Sequence, residues 1–272
     1  MPLTPPRPIT SAANETVKRL RALDARKHRA RTGLFIAEGR RHIAAALDKG
    51  WLPETLVLRA DAVAENADLV AAAQKHGIDC AQVPAAVMAR LGGRDNPQAV
   101  IAAFPQRWHE RPKGGLWVAL EGIRDPGNLG AIIRTAAAVG GDGIMLLGET
   151  CDPYAPEAVR ASMGGLVHVA LARMTVADFP SWRSAWPGQV TGTAMTAATD
   201  YRQGVYGEPL ILLMGNETTG LSPALLAACD QKVAIPMTPA MESLNIAIAT
   251  ALMLYQVRGP ALDLHASKPR RL

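Results

Sequence analysis

Three short segments in the second half of the chain bring together residue types that chemistry uses. The first runs Glu121-Gly122-Ile123-Arg124-Asp125-Pro126-Gly127-Asn128-Leu129-Gly130-Ala131-Ile132-Ile133-Arg134. A buried-type strand leads into a polar, glycine-rich loop and then a helix, with Asn128 suited to the N-cap and Arg134 nearly two turns further on. Arg134 has Ala, Ile, Thr and Val around it, and a cation on so apolar a helix needs a partner or a bound anion. A structural salt bridge to Glu121 or Asp125 would serve equally. The second segment is Leu213-Met214-Gly215-Asn216-Glu217-Thr218-Thr219-Gly220-Leu221-Ser222. An apolar strand ends there in a loop with two glycines around a carboxylate. Ligands of open α/β sheets bind beyond the carboxyl ends of strands, and glycines let the backbone bend or approach a ligand; turn chemistry alone explains the pattern as well. In the third, Ile235-Pro236-Met237-Thr238-Pro239-Ala240-Met241-Glu242-Ser243-Leu244-Asn245-Ile246, a strand and a proline-bounded loop put Ser243 and Asn245 at the mouth of a helix. Ser243 reads as a cap and Asn245 as one turn inside. The helix is apolar on nearly every face, so it must be buried all round, against its own sheet and a second subunit.

Several chemistries find no support. There is no GxGxxG and no GxxxxGK[ST], so neither a Rossmann dinucleotide site nor nucleotide hydrolysis is expected. Cys80, Cys151 and Cys229 lie far apart and the six histidines form no HExxH, so no disulfide framework and no metal site is expected. The first residues lack an apolar signal core, and no uncharged apolar run reaches the roughly 18–20 residues of a membrane span. A soluble, cytoplasmic protein is expected.

The elements that must position these segments follow from periodicity. The 272 residues are 49% hydrophobic and 19% charged, a globular composition; aromatics are only 4%, which leaves the core to Ala, Val, Leu and Ile. The proline-rich residues 1–13 are expected to be disordered. Residues 14–104 alternate helix and strand, with a basic helix over 14–29, a strand over 34–37, a helix over 39–49 and further strands over 54–58, 78–83 and 99–104. Residues 105–115 read as a linker. A second α/β unit spans 116–259, with strands at 116–120, 144–147, 166–171, 189–194, 210–214 and 232–235, helices at 129–139 and 242–257, and an N-cap with an N1 proline at Ser222-Pro223. Residues 260–272 form a basic tail.

The net charge of +5 hides an asymmetry. Residues 1–50 hold eleven Lys and Arg against four Asp and Glu, so this stretch carries more than the whole excess. Its densest run, Arg26-Lys27-His28-Arg29-Ala30-Arg31, reads either as a solvated helix face or as an edge that contacts nucleic-acid phosphates.

Taken in order, the three segments resemble the SpoU/TrmH family of RNA ribose 2′-O-methyltransferases, of the SPOUT class. Gly33-Leu34-Phe35-Ile36-Ala37-Glu38-Gly39 and Asn96-Pro97-Gln98-Ala99-Val100 are similar to the strand-to-helix signature and the turn of the family's L30e-like substrate-binding domain, with Asn for Thr and Ala for Gly in the turn. The resemblance implies an L30e-like α/β domain followed by a SPOUT α/β-knot domain, its deep trefoil knot an exception to the usual rule. It implies S-adenosyl-L-methionine held by Thr193, Met214, Gly215, Ile235, Met237 and Leu244. It implies a catalytic group of Asn128, Arg134, Glu217, Ser243 and Asn245, and a homodimer through the last helix. Arg26, Lys27, Arg29, Arg31 and Arg160 would contact RNA. The substrate implied is rRNA, favoured by the extra basic domain. The alternatives are tRNA, a non-catalytic RNA-binding protein on the same fold, and a Rossmann-type enzyme, against which the missing GxGxxG counts.

Overall fold

The structure, a computed structural model, describes residues 4–92, 98–216 and 218–263. The chain forms two compact units. One holds residues up to Arg107 together with Asp152–Val167; the other holds Trp108–Cys151 and the chain from His168 onward.

The first unit has strands β1 (Arg7–Pro8), β2 (Leu34–Glu38), β3 (Thr55–Arg59), β4 (Asp79–Val83) and β5 (Val100–Pro105) in the order β1-β4-β3-β5-β2. Strand β5 runs antiparallel to β2 and β3, while β1, β4 and β3 are parallel. Helices α1 (Glu15–Ala22), α2 (Arg26–Thr32), α3 (Arg40–Asp48), α4 (Ala67–Lys75) and α5 (Ala85–Gly92) complete it, with α7 (Pro156–Ala161) from the distant segment. Val17, Leu20, Leu34, Val57 and Met88 lie in its core. Two expectations change here. Arg7-Pro8, expected to be disordered, pairs with Ala81-Gln82 and is anchored by Ile9, which is buried; an edge strand tolerates the missing proline N–H. The basic helix over 14–29 is two helices, broken at Leu23–Ala25. Arg29 explains the break: its Nη1 donates to the carbonyls of Leu23 and Asp24 at 2.8 and 2.6 Å, serving acceptors that a helix end leaves open.

The second unit carries strands β6 (Leu116–Glu121), β7 (Gly143–Leu147), β8 (Ala170–Met174), β9 (Gln189–Thr193), β10 (Thr199–Asp200), β11 (Leu210–Met214) and β12 (Gln231–Ala234), all parallel, in the order β10-β12-β9-β11-β6-β7-β8. Its helices are α6 (Pro126–Ala138), α8 (Phe179–Arg183), α9 (Pro223–Ala227) and α10 (Ile246–Arg258). Every residue of β11 is buried, as a central parallel strand covered on both faces requires. Each fully buried side chain of this kind contributes about 1.5–3 kcal/mol. The ring of Trp117 lies against Gly143 so closely that any side chain there would collide with it. The strand expected over 166–171 is a 3-10 turn at Gly165–His168 followed by β8.

Both helices that border the candidate site start elsewhere than expected. Helix α6 begins a turn earlier, because Asp125 and not Asn128 is its N-cap: Asp125 Oδ1 accepts from the Asn128 backbone N–H at 2.6 Å, with Pro126 in the first turn. Helix α10 begins four residues later, at Ile246, because Asn245 is the cap. Its Oδ1 accepts from the N–H groups of Ala247 and Ile248 at 2.9 and 3.3 Å. Residues 242–245 are thereby freed from the helix, and Ser243 is not its cap. Among the described residues, no helix is long and apolar enough to cross a membrane.

Candidate active site

A cavity of about 340 Å³ opens at the carboxyl ends of β9, β11 and β12. The sheet explains the position, since ligands of parallel α/β sheets bind where strands end and their loops diverge; the volume falls within the roughly 300–1,000 Å³ of small-molecule sites. Thr193 ends β9, Met214 ends β11 with Gly215 just beyond it, and Ile235 and Met237 follow β12; Leu244 comes from the loop before α10. All six line this cavity, and Ser243 lies on its wall.

The loop after β11 has its shape for a steric reason. A Cβ on Gly215 would run into the backbone of Gly220 and Leu221, so only glycine lets the two ends of the loop close. Asn216 and Gly220 then exchange backbone hydrogen bonds of 3.1 and 2.9 Å. The Asn216 side chain fastens the loop further: Nδ2 donates to the Gly122 carbonyl at 3.0 Å, and Oδ1 accepts from the Thr218 N–H at 2.9 Å. Glu121 adds a second tie, its Oε2 accepting from the Ser222 N–H at 2.7 Å. The loops after β6 and β11 are therefore braced together. Asn216 is the residue that sequence reasoning passed over; its place between Gly215 and the carboxylate was the only signal.

Asn245 Nδ2 donates to Asn128 Oδ1 at 3.0 Å, joining two expected site residues across 117 positions of sequence. Asn128 borders a second chamber of about 100 Å³, which shares Asn216, Thr218 and Ile246 with the first. Glu217 lies outside the described residues, as does the Asn96-Pro97 turn. Arg134 is exposed on α6 and lines neither chamber. It forms no salt bridge to Glu121 or Asp125 among the described residues, whose carboxylates are engaged by Ser222 and by the α6 N-terminus. Six positions along a helix, it stands about 9 Å further up the axis than Asn128 and on a different face.

The expected RNA contacts divide. Arg26, Lys27 and Arg31 are exposed. Arg29 is unavailable to a phosphate: its side chain is 4% exposed and pairs with Asp152 at 2.8 Å, and its remaining donors go to backbone carbonyls. A guanidinium so enclosed is a structural cation. Arg160 is partly buried and lies 3.6 Å from Glu38, so its charge is already partnered.

Comparison with known proteins matches the chain in two stretches. Residues 115–255 match the model of the SpoU rRNA Methylase family, and residues 14–102 match the MRM3-like substrate binding domain. The 23S rRNA (guanosine(2553)-2′-O)-methyltransferase RlmP of Bacillus subtilis is 28% identical, covering 92% of this chain and 99% of its own. Among solved structures, the AdoMet-bound rRNA methyltransferase from Sinorhizobium meliloti is 40% identical, with a TM-score of 0.87 over 94% of this chain and 99% of that one. The SpoU methyltransferase AviRb from Streptomyces viridochromogenes, in complex with AdoMet, is 30% identical, with a TM-score of 0.77 over 91% and 98%. The double match, the shared architecture and a strand-end cavity lined by the expected residues lead to one conclusion: the chain belongs to the SpoU rRNA Methylase family.

Proposed function

We propose that the protein transfers a methyl group from S-adenosylmethionine to a ribose 2′-hydroxyl of rRNA. The observation that carries this reading is the cavity at the ends of β9, β11 and β12, on which six residues expected to hold the donor converge. The site fits the donor: its wall is largely apolar side chains and strand-end backbone, and the absence of a Cβ at Gly215 lets the loop after β11 close along its rim. The relatives named for 2′-O-methylation of 23S rRNA and for bound AdoMet support it.

When bound, S-adenosylmethionine supplies an electrophilic methyl on a good leaving group. What remains for the protein is alignment and a route for the 2′-proton. Gly215, Ile235 and Leu244 hold the donor through backbone groups, and Thr193 and the methionines close the wall. Asn128 and Asn245, already bonded to each other, and Ser243 orient the ribose. Arg134 stabilises developing charge; it is no proton acceptor, because guanidinium resists deprotonation in proteins. Glu217 or a substrate phosphate takes the proton. Arg26, Lys27 and Arg31 hold RNA through phosphates, and the protein works in the cytoplasm.

The protein acts as a homodimer in this reading. On α10, Ile248, Leu252 and Tyr255 are 55%, 37% and 51% exposed and follow one another at helical spacing, an apolar stripe suited to a second copy. Helix α6, with Arg134 exposed, packs against α10, so a dimer on this face brings Arg134 near the partner. A threaded C-terminal loop belongs to the same reading.

The test incubates the full chain with methyl-labelled S-adenosylmethionine and deproteinised rRNA, then digests the RNA with alkali. Label retained in an alkali-resistant dinucleotide supports ribose methylation; label in free bases, or none, refutes it. Arg134→Ala is expected to lower turnover at least a hundredfold while donor affinity measured by calorimetry stays within about threefold.

A further inference from the structure

We infer that the chamber beside the donor cavity receives the sugar–phosphate of the target nucleotide, and that Arg124 grips its phosphate. This rests on the methyl-transfer reading and adds to it a binding residue of the first segment to which the sequence assigned no role.

Position comes first. Strands β6 and β11 are neighbours in the sheet although four strands separate them in sequence, so their following loops depart from one crevice, the place where such sheets take ligands. The chamber of about 100 Å³ lies there. Arg124 and Asp125 follow β6, Asn216 and Thr218 follow β11, and Asn128 stands in the first turn of α6. Asn216, Thr218 and Ile246 also line the donor cavity, so an acceptor in the chamber lies next to the donor.

Hydrogen-bond capacity then selects the ligand. Asn216 spends its amide on Gly122 and its carbonyl on Thr218. Asp125 holds the Asn128 N–H, and Asn128 Oδ1 accepts from Asn245. The guanidinium of Arg124 is exposed and has no hydrogen bond or ion pair among the described residues. It presents a planar fork of donors with nothing to bind, a shape that matches a phosphate through two parallel N–H···O bonds. Thr218 supplies a hydroxyl on the same wall. Among the described residues that line either chamber, Arg124 is the one cation.

The experiment compares the wild-type full chain with Arg124→Ala and Arg124→Lys, using deproteinised rRNA and S-adenosylmethionine. Arg124→Ala is expected to raise KM for RNA about tenfold with kcat nearly unchanged, and to leave donor affinity by calorimetry within twofold. The slope of log affinity for rRNA against log salt, read by filter binding without turnover, should flatten by about 0.7–0.9, one phosphate contact. Arg124→Lys should recover part of KM, since it restores charge without the fork. An unchanged KM and salt slope in Arg124→Ala would make Arg124 a solvated surface cation and overturn the inference. So would a loss of donor affinity as large as the rise in KM, which would assign it to the donor cavity or to folding. If wild type binds rRNA and transfers nothing, the methyl-transfer reading fails, while the salt slopes still decide whether Arg124 meets a phosphate.

Discussion

At the scale of single residues, two positions carry more than their own contacts. Asn245 caps α10 and holds Asn128 with the same amide group. Replacing it with Ala should cost about 1 kcal/mol for the cap, seen as a lower Tm, and should also reduce methyl transfer because Asn128 loses its partner. Full activity at the lower Tm would confine Asn245 to the cap. Gly215 is a matter of space. In Gly215→Ala the new methyl meets the backbone of Gly220 and Leu221, neither of which is the yielding end of a side chain. Donor affinity should fall at least tenfold by calorimetry, since the loop must open for the methyl to fit; unaltered affinity would show that the loop adapts freely.

At the scale of elements, the basic run shows why one sequence pattern splits into two roles. Helix α2 turns Arg29 inward, where it pairs with Asp152 and takes the carbonyls freed by the break after α1. The same helix leaves Arg26, Lys27 and Arg31 outside. Arg29→Ala takes the cation from the partly buried Asp152 carboxylate and the donor from two carbonyls, and should lower unfolding free energy in urea by about 3 kcal/mol. Lys27→Ala should leave stability within about 0.5 kcal/mol and flatten the salt dependence of RNA binding instead. Equal effects of the two on stability would contradict the division. The segment that supplies Asp152 also brings Tyr154, whose ring lies 4.7 Å from that of Phe35. The first unit is thus completed by residues from far along the chain.

At the scale of the whole molecule, the apolar stripe of α10 bears on assembly. A charge within it, Ile248→Asp, should convert the proposed dimer to a monomer in light scattering, because a desolvated carboxylate cannot be accommodated at an apolar contact. Since Ile248 is exposed within the chain, the monomer should remain folded by circular dichroism. A dimer that persists would move the interface elsewhere.

Much of this was legible in local pattern. Buried strands announce themselves as apolar runs, as Leu210–Met214 does, and a glycine-rich turn after such a strand marks a ligand-binding end; the six residues expected to hold the donor came from the family resemblance, and the structure places all six on one cavity. Helix starts were read less well, since Asn128 and Ser243 looked like caps as good as Asp125 and Asn245, and only the three-dimensional path of the chain chose between them. Arg29 and Arg31 look alike in sequence, and burial depends on Asp152, 123 positions away. The bond between Asn128 and Asn245 and the shared wall of the two chambers are equally long-range. Periodicity reports which face of an element is apolar, because that depends on neighbours a few residues apart. Which polar groups meet depends on how distant elements pack, and that was decided by the tertiary structure alone.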